Sequence, residues 1–216
     1  ASYNTGVGYT ALYCNTSGTG NNAFGYSAMY YNTTGGCNTA VGNAALQDNT
    51  TGCLNTAVGH SALANNTTGC RNTGLGYGAL CSATSACDNN ALGYGALFNL
   101  TTGVRNTAVG LGAGNATTTG GCNFFGGNAA GNKNTTGANN TAVGNGTLTC
   151  NTTGNQNTAI GNLALSANTT GNYSTAVGTK SLYNNTTGNN QAFGSFVMIE
   201  NTTGTLNNAF GYATLE

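Results

Sequence analysis

The chain has 216 residues, 36 of them Gly and none Pro or Trp, and four Lys/Arg balance four Asp/Glu for a formal net charge of zero. Charged residues make up 4% against about 25% in an ordinary domain, so no basic field exists to hold a phosphate backbone and nucleic acid is not expected as a partner. No run approaches the roughly 18–20 apolar residues of a membrane helix, membrane insertion is not expected, and so little charge leaves nothing to keep identical molecules apart.

From Asn4 onward the sequence repeats, with units starting at residues 4, 21, 38, 55, 72, 89, 106, 123, 140, 157, 174, 190 and 207. Eleven intervals are 17 residues long and the one from 174 to 190 is 16. The consensus is N-T-A-V-G-x-x-A-L-x-x-N-T-T-G-x-x, with position 1 at the first Asn, and it predicts a single domain over 1–216. Position 5 is Gly in every unit, from Gly8 to Gly211. Position 1 is Asn except at Ser174, position 9 is Leu or Met except at Gly114 and Gly131, and position 13 is Thr from Thr16 to Thr202.

Gly and Asn inside every unit exclude helices, and the short apolar pieces bounded by Gly and Asn read as strands and turns. One supersecondary unit per 17 residues, stacked on its neighbours, predicts an all-β fold: a single-chain parallel β-solenoid, or β-roll, of about 12.5 coils. Strands are expected near T-A-V and near A-L, with turns at the Gly and at N-T-T-G. Ala at positions 3 and 8 suits a thin core, and Leu at 9 supplies most of its apolar volume. Gly at 5 and 15 permits positive φ at the corners. Asn at 1 and 12 closes turns and stacks into amide ladders. Rungs about 4.8 Å apart give a rod roughly 60 Å long.

Position 4 is mostly Val, Ile, Leu or Phe. If Ala at 3 points inward, Thr at 2 and the apolar residue at 4 form an outward flat stripe, which marks an interface; the sequence favours this facing over the opposite one. The candidate lateral or partner residues are Val7, Phe24, Val41, Val58, Val109, Val143, Ile160, Val177, Phe193 and Phe210. The pattern also runs to both ends, where a solenoid normally carries polar caps. Either Tyr212, Leu215 and Glu216 meet Ala1, Ser2 and Tyr3 of a second molecule, head to tail, or the chain is a piece whose caps lie elsewhere.

Eight Cys, one His and no C-x-x-C pair favour disulfides over metal, and no cofactor is expected. Cys81 and Cys87 flank the one turn that reads Ala83-Thr84-Ser85-Ala86 in place of N-T-T-G, which a disulfide would brace. Cys53 and Cys70 share position 16 on neighbouring rungs, close enough to bond. Cys14 and Cys37 are a third candidate pair, while Cys122 and Cys150 lie about two rungs apart and suit bonds between molecules. Eight free, mostly buried thiols are the alternative. Disulfides imply an extracellular setting.

Other chemistry is sparse. His60 stands at position 6, where Tyr9, Tyr26, Tyr77, Tyr94 and Tyr212 occur in other units, and reads as a surface side chain. Asp48, Asp88, Glu200 and Glu216 fall in different coils, so no acid–base pair is expected, and no phosphate loop is present. Arg71, Asp88 and Arg105 share position 17 on consecutive rungs as an exposed ion ladder. N-T-T segments such as those at Asn32 and Asn151 match the glycosylation sequon, but a turn-forming Asn ladder explains them better. Tyr13, Tyr30 and Tyr183 at position 10 are candidates for lateral contact.

The segment Asn38-Thr39-Ala40-Val41-Gly42 with Ala45-Leu46, and its equivalent over 140–148, resembles the head repeats of trimeric autotransporter adhesins, and similar repeats occur in phage tail-fibre stalks. The resemblance implies a parallel β-roll, packing of three chains, and display outside the cell for attachment. The expected function is a non-enzymatic extracellular structural protein: a subunit of a self-assembling head-to-tail filament or adhesive surface fibre, with itself as partner. The alternatives are an ice-binding solenoid using the Thr-x-Val face and a trimeric fibre segment.

Overall fold

A computed structural model describes residues 2–215. Among them are thirteen three-residue strands and no helix: β1 (Thr5–Val7), β2 (Asn22–Phe24), β3 (Thr39–Val41), β4 (Thr56–Val58), β5 (Thr73–Leu75), β6 (Asn90–Leu92), β7 (Thr107–Val109), β8 (Phe124–Gly126), β9 (Thr141–Val143), β10 (Thr158–Ile160), β11 (Thr175–Val177), β12 (Gln191–Phe193) and β13 (Asn208–Phe210). Each is positions 2–4 of its repeat. Strands on successive coils pair in parallel, residue for residue, as in Thr39↔Thr56, Ala40↔Ala57 and Val41↔Val58. The chain is a parallel β-solenoid of about twelve coils. Contacts gather it into two compact units, Ala1–Asn106 and Thr107–Glu216, the first containing β1–β6 and the second β7–β13.

The strand alternation turns position 3 inward: Ala40, Ala57, Ala142 and Ala159 are fully buried. Opposite them lie Ala at 8 and Leu at 9, with Ala45, Leu46, Ala62 and Leu63 also at 0% exposure. The core is therefore thin, with small residues on the strand side and one Leu per coil filling it. One coil inverts this arrangement. Phe125 stands at position 3, fully buried, and its ring occupies the space a Cβ at Gly131 would need. The glycine at position 9 is the room for that ring.

Two amide ladders close the ends of this core. At position 1, Asn38 donates to the Gly52 carbonyl at 2.9 Å and accepts the Asn55 backbone N–H at 2.9 Å. At position 12, Asn49 donates to Asn32 Oδ1 at 2.7 Å and to the same Gly52 carbonyl at 3.0 Å. Most of both columns is buried, Asn32 and Asn151 fully, so these two sequon asparagines are sealed: Asn151 donates to Asn134 and Gly154 instead of facing solvent. The Thr at 13 has an equally specific task. The backbone N–H groups of Thr33, Thr34 and Gly35 and the Thr33 hydroxyl all converge on the Thr50 carbonyl, at 2.9–3.1 Å.

Two expectations about the turns are corrected. The A-L segment is not a strand. Positions 7 and 9 take positive φ, as at Ala44 (56°) and Leu46 (51°), and local bonds tie 8 to 5 and 12 to 9, as Ala45 N–H to Gly42 and Asn49 N–H to Leu46. The N–H groups of 8 and 12 are thus spent within the coil and no strand forms, while those of 7, 9 and 11 bond to neighbouring coils, as Ala44 N–H to Tyr26, Leu46 N–H to Ala62 and Asp48 N–H to Ala64. Secondly, position 5 glycines do have positive φ, between 123° and 141°, but at position 15 only Gly188 does among the described residues. The other position-15 glycines are required by approach: a Cβ at Gly35 would run into the Gly52 carbonyl and the Asn32 side chain.

Candidate functional site

With position 3 committed to the core, positions 2 and 4 face outward together. Val7 is 55% exposed, Val41 and Val58 38%, Val109 41%, Val143 37%, Ile160 40% and Phe210 68%. Phe24 and Phe193 are exposed as well, Val177 is half-buried, and Phe193 stacks on Phe210 with centroids 5.0 Å apart. Within each unit the register places these side chains in one column. Leu75 and Leu92, which are not among the candidates above, occupy the same column. At Gly126 the column lacks a side chain, and the Phe124 ring covers the spot from position 2, 3.1 Å from where a Cβ would stand. Beside this column the hydroxyls of Thr39, Thr56 and Thr73, and of Thr141, Thr158 and Thr175, make no hydrogen bond within the described residues, on runs of three consecutive coils.

Aromatic rows line a second surface. Tyr9 stacks on Tyr26 at 5.5 Å, Tyr13 on Tyr30 at 5.3 Å, and Tyr77 lies between His60 at 5.2 Å and Tyr94 at 5.0 Å. Tyr9, Thr10, Tyr26, Ser27, Tyr30, Tyr31 and Gln47 enclose an open trough of about 300 Å³. Desolvation raises the Tyr30 hydroxyl above its ordinary pKa. Of the end-to-end candidates, Ser2, Tyr3, Tyr212 and Leu215 are exposed, Tyr3 at 90%, while Ala1 and Glu216 lie outside the described residues.

All eight cysteines are free thiols, so the structure holds none of the expected disulfides. Cys87 does not turn across its coil to Cys81: its sulfur accepts the Cys70 backbone N–H at 3.2 Å, and burial pushes the Cys81 thiol up. Cys37 likewise leans over Gly20, within contact distance of where a Cβ there would stand, and leaves Cys14 unbonded. Cys53 and Cys70 are neighbours, with sulfurs 3.0 Å apart and no bond between them. Cys150 faces Lys133 Nζ at 4.0 Å, and Cys122 is exposed.

The ion ladder reduces to one pair. Arg71 grips Asp88 through Nε at 2.6 Å and Nη2 at 3.1 Å, holding that carboxyl below its ordinary range, and Arg105 acts on Asp88 at longer reach. The His60 Nδ1 lies 2.9 Å from Ser61 Oγ, an exposed contact between adjacent residues. Among the described residues no three His, Cys, Asp or Glu converge on a metal position, and no helix is long and apolar enough to cross a membrane. No known family, curated protein or solved structure matches this chain.

Proposed function

We propose that the protein is a non-enzymatic structural subunit of a self-assembling fibre outside the cell, in which copies of the chain pack side by side through the outward sheet face. The position-4 column carries this reading: bulky apolar side chains, from 37% exposed at Val143 to 68% at Phe210, are repeated on one strand face. A second copy is the occupant that suits it. A row that recurs from coil to coil, save at Gly126, is matched in spacing by another row with the same repeat, and a net charge of zero from four cations and four anions opposes no approach. Head-to-tail stacking belongs to the same proposal, because each coil offers its neighbour the converging N–H groups of positions 13–15 and accepts the same set on its other side. Placement outside the cell rests on the resemblance of the repeat to adhesin heads, and the non-enzymatic reading on the scattering of ionisable side chains over separate coils.

Sedimentation and electron microscopy of the whole chain test this. The native protein is expected to assemble, and a variant combining Val41→Lys, Val58→Lys, Val143→Lys and Ile160→Lys to remain monomeric with an unchanged circular-dichroism spectrum. A native chain that stays monomeric at high concentration overturns the reading.

A second reading, ice binding, is favoured by the unpaired Thr hydroxyls alternating with methyl-bearing side chains on a flat face at rung spacing. Thermal hysteresis and shaping of ice crystals by a monomeric native chain would put it first.

A further inference from the structure

The position-16 column of Ala1–Asn106 carries Cys53, Cys70 and Cys87 on three consecutive coils, each a free, half-buried thiol. Their arrangement repeats from rung to rung. The Cys53 backbone N–H donates to Cys70 Sγ at 3.1 Å, and the Cys70 N–H donates to Cys87 Sγ at 3.2 Å. Each sulfur therefore leans toward the backbone of the coil before it, and the Cys53 and Cys70 sulfurs already meet at 3.0 Å. Parallel rungs about 4.8 Å apart fall inside the Cα separation a disulfide spans, for either neighbouring pair. Cys70 stands between two partners and has one sulfur to share.

We propose that this column is a redox modification site in which Cys70 forms a disulfide with Cys53 and passes it to Cys87 by thiol–disulfide exchange. The oxidant is a small disulfide of the glutathione class. The Cys70 thiolate attacks one of its sulfurs, forming a mixed disulfide and expelling one small thiolate. Cys53 then attacks Cys70 Sγ, forming the Cys53–Cys70 bond and expelling the second small thiolate. The two protons lost by the protein leave with the two small thiols, so the protein is oxidised by two electrons and the reagent reduced by two. In the exchange step the Cys87 thiolate attacks Cys70 Sγ, the Cys70–Cys87 bond forms as Cys53–Cys70 breaks, and Cys53 takes up the proton that Cys87 gave. One of the three thiols always remains reduced, and a covalent staple moves by one coil with no further oxidant. The 3.0 Å contact between the Cys53 and Cys70 sulfurs makes theirs the linkage that forms first, with Cys87 as the attacking thiol of the second step. This inference does not depend on fibre assembly.

The test is incubation of the whole folded chain with glutathione disulfide, quenching with an alkylating reagent at increasing times, chymotryptic digestion and mass spectrometry, with fragmentation separating Cys87 from Cys81. The Cys53–Cys70 linkage is expected first and the Cys70–Cys87 linkage second. Cys87→Ser should retain only the first, Cys53→Ser only the second, and Cys70→Ser neither. Accumulation of glutathione adducts on these three residues without either linkage overturns the proposal, as does a Cys53–Cys87 linkage in the Cys70→Ser variant. If Cys37 and Cys122, both exposed, are modified while the column stays fully reduced, it is overturned as well.

Discussion

Ser174 shows how little of an asparagine a coil needs at position 1. Its hydroxyl donates to the Gly188 carbonyl at 2.7 Å and accepts the Asn190 backbone N–H at 3.3 Å, the two contacts an amide makes elsewhere. Beside it the coil is one residue short, and Gly188 at φ 107° turns the corner; the strand register survives, Thr175 still pairing Gln191. Position 17 is less economical. Leu54, Arg71 and Tyr173 sit at φ 58–60°, a conformation that disfavours a Cβ, and an inter-coil bond such as Leu54 N–H to the Gly36 carbonyl at 3.1 Å helps hold it. Since Leu54 is 55% exposed, Leu54→Gly should stabilise the protein by up to about 1 kcal/mol, read as a higher melting temperature. Val104→Gly, one position earlier in its coil and without positive φ, should lower it. The Arg71–Asp88 pair makes stability depend on acid. Because the Asp88 carboxyl is held below its ordinary pKa, its contribution is complete above the ordinary carboxylate range and is lost as pH falls through the lowered value. Asp88→Asn should therefore flatten the acid limb of melting temperature against pH, whereas Asp48→Asn, removing a carboxyl that partial burial pushes up, should stabilise near neutral pH and change nothing in acid.

At the scale of the element, the position-12 ladder is cooperative and has a defined end. Asn15, Asn32, Asn49 and Asn66 pass one amide hydrogen bond from coil to coil at 2.7 Å each. The next position holds Ala83, which has no donor, and Asn66 Oδ1 is left buried and unpartnered. This asymmetry sets two expected magnitudes. Asn49→Ala removes the bonds it donates to Asn32 and Gly52 and the one it accepts from Asn66, and creates a new orphan acceptor at Asn32, for about 2–4 kcal/mol. Asn66→Ala loses only the two bonds it donates, to Asn49 and Gly69, and deletes one orphan while creating another at Asn49, so it should cost about 1–2 kcal/mol. Urea denaturation followed by circular dichroism orders the pair; equal losses would mean that the bond accepted from Asn66 contributes nothing.

For the molecule as a whole, eight formal charges in 216 residues leave electrostatics little say in association. Assembly through the position-4 face should be nearly unchanged between roughly 0.05 and 0.5 M salt, a range over which the Debye length shrinks about threefold, and should weaken on cooling as apolar burial does. Light scattering across salt and temperature checks both. A steep salt dependence would place the contact at Arg71, Asp88 and the other few charges instead of at the valines.

The sequence by itself determined the repeat, the strand at T-A-V, the inward Ala and outward Val, and the two Asn ladders. Each is a local rule applied at every coil: a period-two alternation, a turn residue, an amide with two donors and an acceptor. Other features depend on what faces a residue from another rung or from across the coil. The A-L segment reads as a strand until positive φ at 7 and 9 draws the N–H of position 8 into a turn, and no glycine at Leu46 signals it. Phe125 and Gly131 look like two unrelated departures from consensus, yet one ring fills the space the other residue leaves. Position within the unit suggests the Cys81–Cys87 and Cys14–Cys37 pairs, but direction along the column decides where each sulfur points. Spacing along a chain is carried by the sequence; the facing of side chains between coils is set by packing, and only the tertiary structure decides it.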